Sequence, residues 1–152
     1  MIIITEKRKS KSYPLIERKV VRIMIKGIES ITLFSENAKD LADFYKDKVG
    51  LKMTLEAEVG EEGGNLFGFE FEGGPGLYIM DHSEVKGKQK EPERIIFNLE
   101  VDDIEENVKR LDEAGVKKIK DTYHMQNYGF IATFEDADGN YFQLVQIRVS
   151  DS

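Results

Sequence analysis

Cysteine is absent from the 152 residues, and with it go disulfides, thiolate nucleophiles and zinc knuckles. That absence suits a reducing compartment, and a cytoplasmic protein is expected. No apolar run approaches the length that crosses a membrane. The opening Met1 to Ile4 is too short for the core of a signal peptide and is followed at once by charge. There is no Ser-His-Asp arrangement, phosphate loop, dinucleotide glycine pattern or zinc-protease helix. Positive charge is also in short supply: 22 Lys and Arg stand against 29 Asp and Glu, for a net charge of −7. A basic face for the phosphate backbone is therefore not expected, and nucleic acid is set aside as a partner.

Hydrophobic residues make up 40% and charged residues 34%, the balance of a soluble globular protein, and the length suits one domain with a real core. The charge is unevenly placed. Residues 1–22 hold Lys7, Arg8, Lys9, Lys11, Arg18, Lys19 and Arg22 against Glu6 and Glu17, a net +5, which leaves −12 for the rest. Residues 1–23 form a basic arm without clean periodicity. It reads as a solvated tail, as an edge strand through Tyr13–Ile16 and Val20–Val21, or as an over-extension of a chain that begins at Met24. The domain is placed at residues 24–147.

Within it, Ile28–Phe34 alternates as a strand, with Ile31 and Leu33 opposite Ser30 and Thr32. Asn37 with Asp40 marks a helix start, Leu41, Phe44, Tyr45 and Val49 recur at helical spacing, and Gly50 closes the helix. Residues 51–57, 66–72 and 77–80 read as strands around a Gly60–Gly64 hairpin and a Gly73–Gly76 turn. The polar, Lys-rich stretch from His82 to Pro92 reads as a linker. The order then repeats. Arg94–Val101 is a strand with Ile95, Phe97 and Leu99 on one face. Asp103 and Glu106 cap a helix with Ile104, Val108, Leu111 and Ala114 buried, and Gly115 ends it. Residues 116–120 and 129–135 are strands around a His124–Asn127 loop. Asp136 to Asn140 is a turn, because Asp, Gly and Asn supply local hydrogen bonds and positive φ. The last strand sets Phe142 and Leu144 against Tyr141 and Gln143.

The two halves correspond. Asn37 matches Asp103, Gly50 matches Gly115, and Gly68-Phe69 matches Gly129-Phe130, at offsets of 66, 65 and 61 residues. Each half reads strand, helix, strand, strand, strand, as modules over about 27–82 and 93–147. The expected class is α+β, with paired βαβββ modules forming a curved mixed sheet around a cleft.

The set Ile28-x-x-Ile31-Thr-Leu33, Phe44-Tyr45-Lys-Asp-Lys-Val-Gly-Leu51, Leu99-Glu-Val-Asp-Asp103 and Phe134-Glu-Asp-Ala-Asp-Gly-Asn140 resembles the glyoxalase / bleomycin resistance / dioxygenase group, the vicinal oxygen chelate superfamily. The resemblance covers residues 25–147 and implies the fold more than the reaction. In the group's metalloenzymes, His, Glu or Gln from four strands hold a divalent metal. Carried onto this chain, those positions fall on Ser30, Tyr78, Ile96 and Gln143. A hydroxyl, a phenol, an alkyl group and an amide do not suit such a metal, so no metal or other cofactor is expected. A register error of one residue adds only Glu29.

The remaining candidates come from side-chain parity. Ser30, Thr32, Tyr78 and Met80 share the cleft phase of the first half. Ile96, Asn98, Tyr141 and Gln143 share that of the second, with Glu100 at the rim. Tyr78, Tyr128 and Tyr141 offer flat faces with hydrogen-bonding tips, which suit a planar ligand. Phe67, Phe69 and Phe71 read chiefly as core, with Phe69 kept as a contact candidate. His82 and His124 read as exposed loop residues or as a base reaching into the cleft; Asp121 and Tyr123 beside His124 lack a nucleophile, and His124 is kept as a ligand contact. The expected function is binding of a small, partly aromatic organic molecule in a metal-free cleft. The alternative is a lyase, isomerase or dioxygenase with an atypical metal site. A third reading is a sensory or structural module tethered through the arm. The resemblance implies a homodimer, with the cleft at or near the interface.

Overall fold

The computed structural model describes residues 24–147 and, before them, the backbone of four short strands. Strand β1 (Ile2–Ile3) pairs with β4 (Val21–Arg22), and β2 (Lys7–Ser10) pairs with β3 (Tyr13–Glu17). The expected edge strand at Tyr13–Ile16 is thus part of a separate two-stranded ladder, joined to neither larger sheet. The other readings of the arm lie outside the described residues.

The first module runs β5 (Ser30–Ser35), α1 (Ala38–Asp43), β6 (Leu55–Val59), β7 (Gly64–Phe69) and β8 (Gly76–Asp81). The second runs β9 (Phe97–Glu100), α2 (Ile104–Glu113), β10 (Lys117–Met125), β11 (Gly129–Glu135) and β12 (Tyr141–Ile147). Each sheet has the first strand parallel to the last and the others antiparallel, in the orders β5-β8-β7-β6 and β9-β12-β11-β10. The fold is α+β with two βαβββ modules. Its sheets are two four-stranded units, with β5 and β9 each at an edge.

Both helices start where their caps place them. Asn37 accepts from the Asp40 N–H at 3.1 Å, and Asp103 accepts from the Glu106 N–H at 2.9 Å. Asp40 does not reach back to the cap's own N–H. Its carboxylate takes the Asn37 side-chain amide at 2.7 Å, while the Asn37 N–H donates to Ser35 Oγ at 3.0 Å. Each helix is also tied to the last strand of its sheet. The Ala38 N–H donates to Asp81 Oδ1 at 2.8 Å, and the Ile104 N–H donates to Gln146 Oε1 at 2.9 Å. These bonds satisfy donors that a helix N-terminus leaves unpaired.

The helices then diverge. Helix α1 continues into a π-helix, Phe44–Val49, ended by Gly50 at φ 88°. This stretch carries the wholly buried Tyr45, whose hydroxyl donates to Asp136 Oδ2 at 2.6 Å. The bond joins the helix of one module to the turn of the other. Around it Phe142 packs against Tyr45, Phe97 and Phe134, at centroid distances of 5.6, 6.2 and 5.9 Å. One core cluster therefore spans both modules, from Leu41 and Ile79 to Leu111 and Leu144. The helix-facing side of both sheets supplies it.

Several boundaries differ from expectation. Residues 51–54 precede β6 rather than forming it, and β7 begins at Gly64. Phe71 lies past β7 and is 40% exposed, not part of a buried triple. Pro92–Arg94 forms a 3-10 turn, which delays β9 to Phe97 and leaves Ile95 77% exposed instead of in the core. Strand β10 is far longer than the expected 116–120, so His124 is a strand residue.

Candidate functional site

The face of each sheet that turns away from the helices carries most of the predicted site residues. In the first module, register sets Thr32, Tyr78 and Gly68 in one row across the sheet and Phe34, Met80 and Leu66 in the next, with Ser30 beside Gly76. The Tyr78 ring lies between two glycines. A Cβ built on Gly68 would meet the ring at 2.9 Å, and one built on Gly76 would meet its other edge at 2.9 Å. The glycines clear a floor on which the ring rests. The Tyr78 hydroxyl donates to Glu70 Oε1 at 3.2 Å, and this bond to a carboxylate holds the phenol pKa above its ordinary value. The half-buried Tyr78 is thus a neutral, flat platform, with Phe34, 46% exposed, on the same face.

In the second module, Asn98, Gln143 and Thr133 form one row across the sheet. Gln143 Nε2 donates to Thr133 Oγ1 at 3.1 Å, which fixes the amide and turns its oxygen away from that contact. Tyr128 folds back from the β10–β11 turn, where Asn127 takes φ 64°, and its hydroxyl accepts from Asn98 Nδ2 at 3.4 Å. Tyr141 stands beside Glu135, which pairs with Lys117. Ile96 lies just before β9 and is 37% exposed.

Two predicted contacts do not belong to these faces. Phe69 is wholly buried in the core, because its parity on β7 is that of Leu77 rather than of Tyr78. His124 pairs with Phe130, which packs on the core, and their rings lie 5.2 Å apart. Its β10 position sets it opposite to the Gln143 row. The other histidine, His82, stacks edge-on against Phe34 at 5.1 Å, and its Nδ1 accepts the Glu84 N–H.

The faces also hold residues that the sequence reading did not include. Leu66 and Phe34 join the first. Thr133, Lys120 and Tyr123 join the second through β10 and β11, with Lys120 Nζ 4.1 Å from the Tyr123 ring. The second face is therefore not free of positive charge. The only sequence signal for Thr133 was its alternation within Phe130–Phe134; β10 gave none, because its register shifts twice.

Three cavities formed by the described residues leave the two faces apart. Met80 lines one of about 480 Å³ with Val59 and His82. Phe34 lines one of about 310 Å³ with Gln89 and Asn140. Asn98 lines one of about 710 Å³ between the modules.

Two carboxylates anchor the scaffold beneath these faces, and their pKa values are displaced in opposite directions. Burial pushes Asp136 above the ordinary carboxylate value, and hydrogen bonds from Tyr45, Asn140 and Asp138 oppose without overcoming it. Burial also acts to raise Asp81, but bonds from the Ala38 N–H, the Asn65 N–H and the Asn65 amide outweigh it and hold the carboxylate low. Among the described residues no group of three His, Cys, Asp or Glu side chains converges as a metal site.

Comparison with known proteins agrees with this geometry. Residues 27–144 match the family model of the Glyoxalase/Bleomycin resistance protein/Dioxygenase superfamily. An uncharacterized protein of Bacillus subtilis, YetH, is 26% identical over 121 residues, covering 80% of this chain and 98% of its own. A glyoxalase family protein from Bacillus cereus superposes with a TM-score of 0.67 at 14% identity, over 84% of this chain and 98% of its own. TnmS3, an antibiotic binding protein from Streptomyces sp. CB03234, superposes with a TM-score of 0.63 at 20% identity, over 84% of this chain and 100% of its own.

Proposed function

The chain belongs to the glyoxalase/bleomycin resistance protein/dioxygenase superfamily, and from that premise we propose that it binds a small, flat, partly aromatic organic molecule without a metal. The observation that carries the proposal is the Tyr78 ring, laid flat over a floor that Gly68 and Gly76 keep clear. A planar ligand gains apolar area on such a ring, with little ordering of the protein left to do. Thr32 and Met80 extend the contact on that face, and Asn98, Gln143 and Tyr128 supply hydrogen bonds from the second-module face of a second copy of the chain. TnmS3, which shares the fold, is described as an antibiotic binding protein, and the same broad class of ligand is proposed here.

The donor set speaks against a divalent metal at the family's ligand positions. Ser30, Tyr78 and Ile96 offer no imidazole or carboxylate, and Gln143 alone is of the family's type. A second copy of the chain completes the proposal. Ile28 and Ile95, 73% and 77% exposed just before the edge strands, give it an apolar surface to cover.

The test is a thermal-shift screen of planar aromatics, run alongside metal analysis of the purified protein and its mass in solution. Stabilisation by aromatics, with no stoichiometric metal and a dimer mass, is the expected outcome. Near one equivalent of zinc, nickel or iron, removable by chelator with loss of activity, would overturn the metal-free reading.

A further inference from the structure

The cavity of about 710 Å³ lies at the seam between the modules, along the edge strands β5 and β9, and Gly76 and Asn98 belong to its lining. Its walls come from both halves: Ile31 and Leu77 from the first sheet, Phe97, Leu99 and Leu144 from the second. Its volume falls within the usual range of small-molecule sites. Its rim is charged, and unevenly so. Glu72, Glu100 and Asp102 line it against a single cation, Arg110. That guanidinium is already engaged. It donates to the backbone oxygens of Lys48 and Val49, at 3.2 and 2.9 Å, and to Asn107 Oδ1 at 3.1 Å. None of those bonds goes to the three carboxylates. An apolar chamber with an acidic mouth is complementary to a molecule with an apolar body and a positive end.

We propose that this seam is a second binding site, for a small organic amine or other cation with an apolar or aromatic body. The cation sits at the mouth against Glu100 and Asp102, and the body lies against Phe97, Leu99 and Leu77. The turn Gly73–Gly76 forms one lip. Gly73 takes φ 76°, and a Cβ on Gly73 or Gly74 would meet nothing within 4 Å, so the lip leaves the entrance open. Asn98 borders both this cavity and the planar-ligand face, but the seam proposal does not rest on ligand binding at Tyr78.

The test is a titration of the full chain with 4-phenylbutylamine, followed by backbone amide shifts. Saturable shifts at Gly74, Leu99 and Asn107, with Thr32, Tyr78 and Gln143 unmoved, are expected. Shifts confined to Thr32, Tyr78 and Gln143 would place the amine on the other face and overturn the seam. 4-Phenylbutanol, the same body without the charge, should bind about tenfold more weakly, and 4-phenylbutyrate more weakly still. Leu99→Trp fills the chamber and should abolish binding of the amine. Because an added ring in a packed wall also threatens folding, Glu100→Gln is the second arm. It alters an exposed rim residue and should weaken the amine about fivefold while leaving the alcohol unchanged. Equal affinity for amine and alcohol, or no saturable shift at the seam because a second copy fills it, overturns the proposal.

Discussion

The two modules answer one problem with different chemistry. In both, a side chain near the end of the last strand takes the first free N–H of the helix: Asp81 for Ala38, Gln146 for Ile104. In the first module that side chain is a carboxylate held below its ordinary pKa. In the second it is a neutral amide, and the carboxylate lies instead in the turn at Asp136, where burial raises it. The helices part company in the same way. Helix α2 ends at Glu113 beside Gly115, whereas α1 runs on as a π-helix that delivers Tyr45 to Asp136. The shared features make each module a module. The departures join the two modules and shape the surfaces that can bind.

Equivalent glycines offer the sharpest break in the comparison. Gly68 and Gly129 match in the repeat, yet a Cβ at Gly129 would lie 2.0 Å from the backbone oxygen of Gln146 at φ 148°. Gly129→Ala should therefore cost about 3–4 kcal/mol in urea unfolding, through strain and a clash that no side chain can relieve. The inter-module latch comes next. Asp136→Ala strands the buried Tyr45 hydroxyl and undoes the turn, and should cost about 3 kcal/mol, while Tyr45→Phe should cost about 1–2 kcal/mol.

The two carboxylates should also differ in the sign of their pH dependence. Asp136 binds its proton more tightly folded than unfolded. Its contribution is full below the ordinary carboxylate value of 3.8 and is lost as pH rises through the raised folded value. Asp81 is the reverse: its contribution is present above 3.8 and is lost as pH falls through the lowered folded value. Unfolding free energies measured across acid pH for wild type, Asp136→Asn and Asp81→Asn should show the two differences sloping in opposite directions. The smallest effect on stability belongs to Gly68→Ala. Its contact is a tyrosine ring that can shift, so the fold should lose less than about 1 kcal/mol. Binding of planar ligands should fall all the same, because the floor under Tyr78 is no longer clear.

Much of the module pattern was legible in the sequence. Asn37, Asp103, Gly50 and Gly115 marked helix ends by their local chemistry, and alternation along Ile31–Leu33 and Phe142–Leu144 separated core from outer face. These signals work because caps and parity depend on near neighbours. The second half of β10 escaped because Lys117–Met125 is mostly polar and its register shifts break the period. The latch escaped for another reason: Tyr45 and Asp136 lie 91 residues apart, and each looked locally complete, one as a helix core residue and one as a turn acid. Phe69, read chiefly as core, was kept beside Tyr78 as a ligand contact; pairing register separates the two, and register is a tertiary fact.

The central claim is that Tyr78 is the platform on which a planar ligand rests. Calorimetric titration of wild type and Tyr78→Ala with an aromatic that stabilises the wild type in the thermal screen tests it directly, with Gln143→Leu beside it. Losing the ring's contact area should weaken binding by about 2 kcal/mol or more, and losing the amide by about 1–2 kcal/mol, with both variants folded. Wild-type affinity in Tyr78→Ala would contradict the claim and move the ligand off this face.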